Sequence, residues 1–210
     1  MTPEGLLGLL YSLPAILIAL SFHEWAHAFA AFKLGDPTAR NLGRMTVNPL
    51  RHIDPMGFLM LIIVGFGWAK PVPINPRNFS KPRRDEIIVS LAGITTNMLL
   101  AFVFMGLLSA MINLIGFYNE VVVTILSALV IIDIALAVFN LLPIPPLDGY
   151  RFVMCLVPRK YALRVYVFVE KYGRIIGIVL LLVMVFSGVV GTVTEWVYIN
   201  MLKLFGLVVV

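Results

Sequence analysis

Apolar residues along this chain fall in long blocks, without the striped or alternating pattern of a soluble fold. Four blocks, at residues 6–32, 86–115, 121–142 and 175–190, predict membrane-spanning helices. The first is 27 residues long, or roughly 40 Å of helix. Thr2, Pro3 and Glu4 suit its first turn. Pro14 is expected to kink it, and Lys33, Gly35, Asp36 and Pro37 end it. A fifth apolar block, residues 57–68, is too short to span and reads as a re-entrant or β-like segment.

The polar connections carry their own signals. Residues 38–47 allow short strand structure, while Asn48-Pro49 and Asp54-Pro55 mark turns. Residues 70–76 hold three prolines, which exclude helix and predict an extended segment whose edge could pair with an extended peptide. Pro143, Pro145 and Pro146 break the chain after the third span, and Asp148 is placed to cap a short helix through residue 157. Residues 159–174 mix basic and aromatic side chains, as an interfacial amphipathic helix does. The tail, residues 197–210, is too short to span and is expected at the interface or against the bundle.

Composition turns this pattern into a class. The chain is 60% hydrophobic and 13% charged, with a mean hydropathy of +0.98, against about 25% charged residues in a soluble domain. The expected fold is an all-α integral membrane protein of about four transmembrane helices, forming one domain over residues 1–210. A nucleic-acid partner is not expected so close to membrane spans. The single Cys155 rules out an intrachain disulfide. A removable signal peptide is not expected either, since no basic region precedes the first block.

Charge placement orients the spans. With the N-terminus outside, fifteen of the sixteen Lys and Arg fall on one side, between residues 33 and 84 or 151 and 174; only Lys203 falls on the other. The basic side is therefore cytoplasmic. Basic residues flank the 57–68 block at both ends, so it should enter and leave the membrane on that same side.

Candidate chemistry sits inside the first span. His23-Glu24-Trp25-Ala26-His27 reads H-E-x-x-H, and the chain has only three histidines. One turn apart on a helix, His23 and His27 can reach a single metal ion, with Glu24 beside them to take a proton from water. His27 is six residues before Lys33, which puts the pair roughly 10–15 Å above the cytoplasmic end of the helix. A catalytic zinc needs a third protein ligand. Asp133, Asp148 and Glu120 are the candidates; Glu120 falls on the wrong side, and the irregular backbone before Asp148 suits a cavity lining. Asn97 and Asn140 are intramembrane amides that should face the protein interior.

His23-Glu24-Trp25-Ala26-His27 together with residues 140–149, Asn-Leu-Leu-Pro-Ile-Pro-Pro-Leu-Asp-Gly, resembles the site-2 protease family of intramembrane zinc metalloproteases. Gly35-Asp36-Pro37, Asn48-Pro49, His52-Ile53-Asp54-Pro55 and the proline-rich 69–76 segment resemble its small prokaryotic branch, which lacks PDZ and CBS domains. The resemblance covers residues 20–160. It implies Zn2+ held inside the bundle by His23, His27 and Asp148, and Glu24 as general base. It also implies a substrate that is a transmembrane helix of another protein, cut in or near the bilayer of a prokaryotic cell. Asn140, and less so Asn97, is then expected to bond substrate backbone or the oxyanion; helix-to-helix hydrogen bonding is the alternative, of equal weight for Asn140 and of greater weight for Asn97. Two departures stand out. Ile94 follows Ala92-Gly93 where the family has proline, and Asp133 stands where it has asparagine. A zinc-binding membrane transporter and a non-catalytic membrane scaffold are the alternatives. Oligomeric state is not legible.

Overall fold

The computed structural model describes residues 3–207, so Thr2 and residues 208–210 of the tail lie outside the described part. The described residues form eight α-helices and no strand longer than a single bridge. They are α1 (Pro3–Lys33), α2 (Thr38–Asn41), α3 (Pro55–Val64), α4 (Pro82–Ser109), α5 (Glu120–Leu141), α6 (Asp148–Leu156), α7 (Arg159–Ser187) and α8 (Val189–Leu204). Three stretches are long and apolar enough to cross a membrane alone: Ser12–Lys33, Pro82–Leu114 and Glu120–Leu141. The second is α4 extended by one π-helical turn, Ala110–Leu114.

A fourth crossing is compatible with α7 and α8 taken together. Ile175–Met184 and Val189–Leu204 meet at a 52° bend, and Gly188 supplies the left-handed backbone (φ 70°) at the joint. This differs from the sequence expectation of a surface helix ending at residue 174 and a separate span over 175–190. The basic, aromatic stretch and the apolar one are a single continuous helix, because no Pro or turn signal separates them.

The centre of the bundle is α4, packed between α1 and α5 and also touching α6 and α8. Ala101, Met105 and Leu108 of α4, Val130 and Ile134 of α5, and Met201 and Leu207 form the largest buried apolar cluster. The described part of the tail, up to Leu207, is thus packed on the bundle, and Ser109 Oγ donates to the Phe205 carbonyl at 2.7 Å. In lipid such packing is held by close van der Waals fit more than by water exclusion.

The short apolar block folds back on itself. Asp54 caps α3 by accepting from Gly57 N–H, Pro55 occupies the first turn, and Gly65 (φ 78°) ends the helix. The chain then returns so that Ile53 and Ala69 form an antiparallel bridge. Gly57 and Gly67 permit the return, since a Cβ on either would strike backbone carbonyls across the gap. Its outer residues are apolar and open, with Ile63 68% exposed. Residues 38–47 differ from the strand expectation: they begin with the single helical turn α2, because Asp36 Oδ1 accepts from the Thr38 N–H and hydroxyl and starts a turn there.

Residues 70–75 carry no helix, but Pro76, expected in the same extended segment, instead opens the 3-10 turn Pro76–Asn78, where proline suits the first position; the segment is fastened on both sides. The Arg44 guanidinium donates to the Lys70 carbonyl at 2.7 Å and the Pro71 carbonyl at 3.3 Å. Asp36 accepts from Asn75 N–H and Asn78 Nδ2, both at 2.7 Å.

Candidate functional site

In the C-terminal third of α1, on its buried face, His23, Glu24 and His27 are enclosed by α4, α6 and the proline-rich segment. Each ring is fixed by its Nδ1. His27 Nδ1–H donates to the Val89 carbonyl at 2.8 Å. A carbonyl only accepts, so the proton is on Nδ1 and the Nε2 lone pair is free. His23 Nδ1–H donates to Asn97 Oδ1 at 2.6 Å, which frees its Nε2 likewise. The two Nε2 atoms stand 3.0 Å apart. Asp148 Oδ2 completes the group, 3.1 Å from His23 Nε2 and 3.0 Å from His27 Nε2.

Asp148 reaches this point through its backbone. The proline-rich break after α5 swings the chain across the bundle, and α6 begins at Asp148 itself, with Leu147 as its cap residue. The expected capping role is therefore not the one observed: the carboxylate is turned toward the histidines and makes no cap bond. Gly149 allows the close turn, since a Cβ there would run into the Leu141 and Leu142 carbonyls. Asp133 and Glu120 are not part of the cluster, and His52 donates Nε2–H to the Thr46 carbonyl at 2.7 Å.

Three acceptor atoms thus converge with no donor among them. His23, His27 and Asp148 each offer one ligand atom, all within 4.8 Å of one another. Tetrahedral coordination with bonds of about 2.0–2.1 Å spaces ligand atoms about 3.4 Å apart, close to the 3.0–3.1 Å seen here. Gly93 shapes the remaining wall. A Cβ on it would lie 2.5 Å from His23 Cε1 and 2.6 Å from His27 Nε2. The residues present fit a metal ion in donor type, spacing and room.

Two cavities meet at the cluster. The larger, about 650 Å3, is mostly apolar and runs among α1, α3, α5, α7 and the start of α8, past Leu20, Phe66, Phe139 and Met184. The smaller, about 110 Å3, holds Asp148, Arg151, Pro71 and Val72. His23, Glu24, Asn140, Pro146 and Leu147 line both. The Glu24 carboxylate is held at this junction by the Val72 N–H, at 2.7 Å.

The two asparagines differ. Asn140 lines both cavities and spends one amide proton on the Leu136 carbonyl at 3.0 Å. Asn97 is fully enclosed: its oxygen takes the His23 proton, and its amide donates to the Ala19 carbonyl at 3.2 Å and Asp133 Oδ1 at 2.6 Å. It has no donor left for a ligand. Sequence reasoning missed Val89, Val72 and Gly93. The first two act through backbone atoms and leave no side-chain signal; a glycine inside a helix was the one available hint.

An all-helical, membrane-type bundle with a buried His-His-Asp group beside a carboxylate defines a class, and comparison with known proteins gives the family. The profile of peptidase family M50 matches residues 110–184. The chain is 37% identical over 204 residues to "Putative zinc metalloprotease YwhC" of Bacillus subtilis, covering 93% of this chain and 90% of that one. It is 35% identical over 141 residues to "Putative zinc metalloprotease Rip2" of Mycolicibacterium smegmatis, and 37% identical over 140 residues to the Mycobacterium tuberculosis protein of that name, in each case across 52% of the relative. No solved structure matches significantly. The chain belongs to peptidase family M50, the metallopeptidase family to which the site-2 proteases belong, whose members are zinc-dependent.

Proposed function

We propose that this protein is an intramembrane zinc metalloprotease that hydrolyses a peptide bond in or near a transmembrane helix of another membrane protein. The observation that carries the reading is the convergence of three lone-pair atoms beside Glu24, at the inner end of a large apolar cavity. In this reading His23, His27 and Asp148 hold zinc, and the N-terminus lies outside a prokaryotic cell membrane with the site nearer the cytoplasm. The basic residues from Lys33 to Arg84 and from Arg151 to Arg174 support that orientation. The back-folded α3 segment, apolar on its open side, would dip into the same leaflet.

Zinc bound there would activate a water molecule and polarise the scissile carbonyl. Glu24 takes the proton of the attacking water and passes it to the leaving amine. The Val72 N–H holds one Glu24 oxygen, which aims the other into the junction of the two cavities. The apolar cavity receives the substrate segment and keeps bulk water away, while the small polar cavity beside Arg151 supplies water from the cytoplasmic side. Asn140, with an amide proton and its oxygen uncommitted, bonds the substrate backbone or the oxyanion.

Glu24→Gln tests this. The variant should keep its zinc and lose cleavage, so that membrane-protein fragments seen in wild-type cells disappear in variant cells. Persistence of those fragments would sink the protease reading. Zinc retained with no fragments in either strain would favour a zinc carrier, which has no use for a base beside its ligands.

A further inference from the structure

Asp133 is fully enclosed in the middle of α5, and its Oδ2 has no hydrogen-bond partner. A buried carboxylate inside a membrane helix is costly and calls for a reason. Hydrolysis as described above gives it none. Its other oxygen, Oδ1, accepts from Asn97 Nδ2 at 2.6 Å, and Asn97 Oδ1 in turn accepts from His23 Nδ1–H at 2.6 Å.

The two histidines are oriented by unlike partners. His27 faces a backbone carbonyl, which can never become a donor. His23 faces a side-chain amide, which can turn over and present NH2 instead. That flip would force a lone pair onto His23 Nδ1 and its proton onto Nε2, in the ligand position. As a carboxylate, Asp133 prevents it by offering only acceptors to the far end of the amide. The Ala19 carbonyl favours the same orientation. It is the more distant acceptor, at 3.2 Å, and as a helix carbonyl it already serves the backbone N–H four residues on.

We propose that Asp133 is a positioning residue that fixes, through Asn97, the His23 tautomer needed for metal binding. The proposal rests on the metal-site reading above. It accounts for the carboxylate that stands in place of the asparagine expected from the family pattern, and for the enclosure of Asn97.

The test is zinc affinity, by competition with a chelating dye on the purified full chain in detergent. Asp133→Leu should bind zinc about tenfold more weakly than wild type, the lower end of the range for lost outer-shell partners. Asn97→Asp combined with Asp133→Leu should recover to within about threefold of wild type, as a double-mutant cycle reads coupling. A carboxylate at position 97 has no donor end to turn toward His23, so it needs no orienting partner. Unchanged affinity in Asp133→Leu would overturn the proposal, as would a double variant as weak as the single one. If Asp133→Leu does not fold, Asp133→Asn decides. Its amide can turn NH2 toward Asn97 as readily as oxygen, so affinity should fall by about threefold or more, whereas affinity equal to wild type would overturn the proposal. His23→Ala and Asp148→Ala are the controls. If they bind zinc like wild type, the metal-site reading has failed, whatever the Asp133 variants do.

Discussion

α4 and α7 are helices of almost equal length, 28 and 29 residues, built into the molecule in opposite ways. α4 buries Asp85, Val89, Ser90, Gly93, Asn97 and Met105 among α1, α5, α6 and α8. It supplies both Nδ1 partners of the histidines and the glycine that makes room for their rings. α7 leaves Ile175, Leu182 and Phe186 open, the last 84% exposed. It meets the bundle through Gly173 and Gly177 against Pro145, and lends Leu181 and Met184 to the outer wall of the large cavity. One helix thus carries the precision of the cluster. The other carries an apolar face that suits lipid and a wall beside which a substrate would enter. The division predicts that changes of equal size on the two helices will damage different properties.

The largest effect is expected from Gly93→Ala. The added methyl would meet His23 Cε1 at 2.5 Å and His27 Nε2 at 2.6 Å, and α4 is too tightly packed to withdraw. Zinc content should fall to background with protein yield retained, and cleavage should drop about 100-fold or more, as when catalytic geometry is displaced. Gly177→Ala is the counterpart on α7. Its methyl would meet the Pro145 carbonyl at 2.5 Å and shift the cavity wall. Zinc content should be unchanged, with cleavage reduced about tenfold or less, since a displaced wall disturbs substrate positioning and leaves the cluster whole. If Gly177→Ala lost zinc, or Gly93→Ala kept it, the division of labour between the helices would be wrong.

This contrast marks how far the sequence could be read. His23, His27 and Asp148 were legible because side chains carry their signal: a helical i, i+4 pair, and a carboxylate after a proline break. The three long spans were legible because lipid demands unbroken apolar runs. The fate of α7 and α8 was not. A short apolar tail and a bent pair of helices look alike in composition, and only packing against Ala101, Met105 and Val130 distinguishes them. The supporting shell was also hidden. Val89 and Val72 contribute backbone atoms, and the helix-to-helix bonding favoured for Asn97 is what is seen, though nothing in the sequence reveals that His23, Ala19 and Asp133 are its partners.

A smaller effect should come from the loop that leads into α4. Asp36 accepts from Thr38, Asn75 and Asn78, and so ties the end of α1 to the turn before α4. Burial alone would raise its pKa, but those hydrogen bonds prevail and hold the carboxyl below its ordinary 3.8. A depressed folded value means the stabilisation is complete above the ordinary value and is lost as pH falls through the folded one. Thermal stability in detergent should therefore decline below about pH 4 through this group. Asp36→Ala should already be less stable at pH 7 by about 1–3 kcal/mol, the cost of leaving buried donors unpaired. It should lose correspondingly less on acidification. An acid response identical to wild type would show that the Asp36 tie does not hold this edge of α4.

The prediction with the least effect on zinc binding and cleavage tests whether α6, which carries Asp148, stays closed on α4. Cys155 lies on α6, and its thiol is pushed up to about 11, first by burial and then by the Glu86 carboxylate of α4. Against an ordinary value of 9.0, that leaves about 100-fold less thiolate at neutral pH, and the thiolate is the reacting form. Alkylation of the native protein should be slower than that of the denatured protein by about this factor, with zinc binding and cleavage unaffected by Cys155→Ser. Glu86→Gln should speed alkylation several-fold by removing the second cause, leaving burial as the remaining one. Labelling of the native wild type as fast as that of the denatured protein would mean that burial and Glu86 do not hold the thiol, as when α6 opens away from α4. Asp148 would then be a ligand on a moving element, and the cluster would owe its geometry to the metal more than to the helices around it.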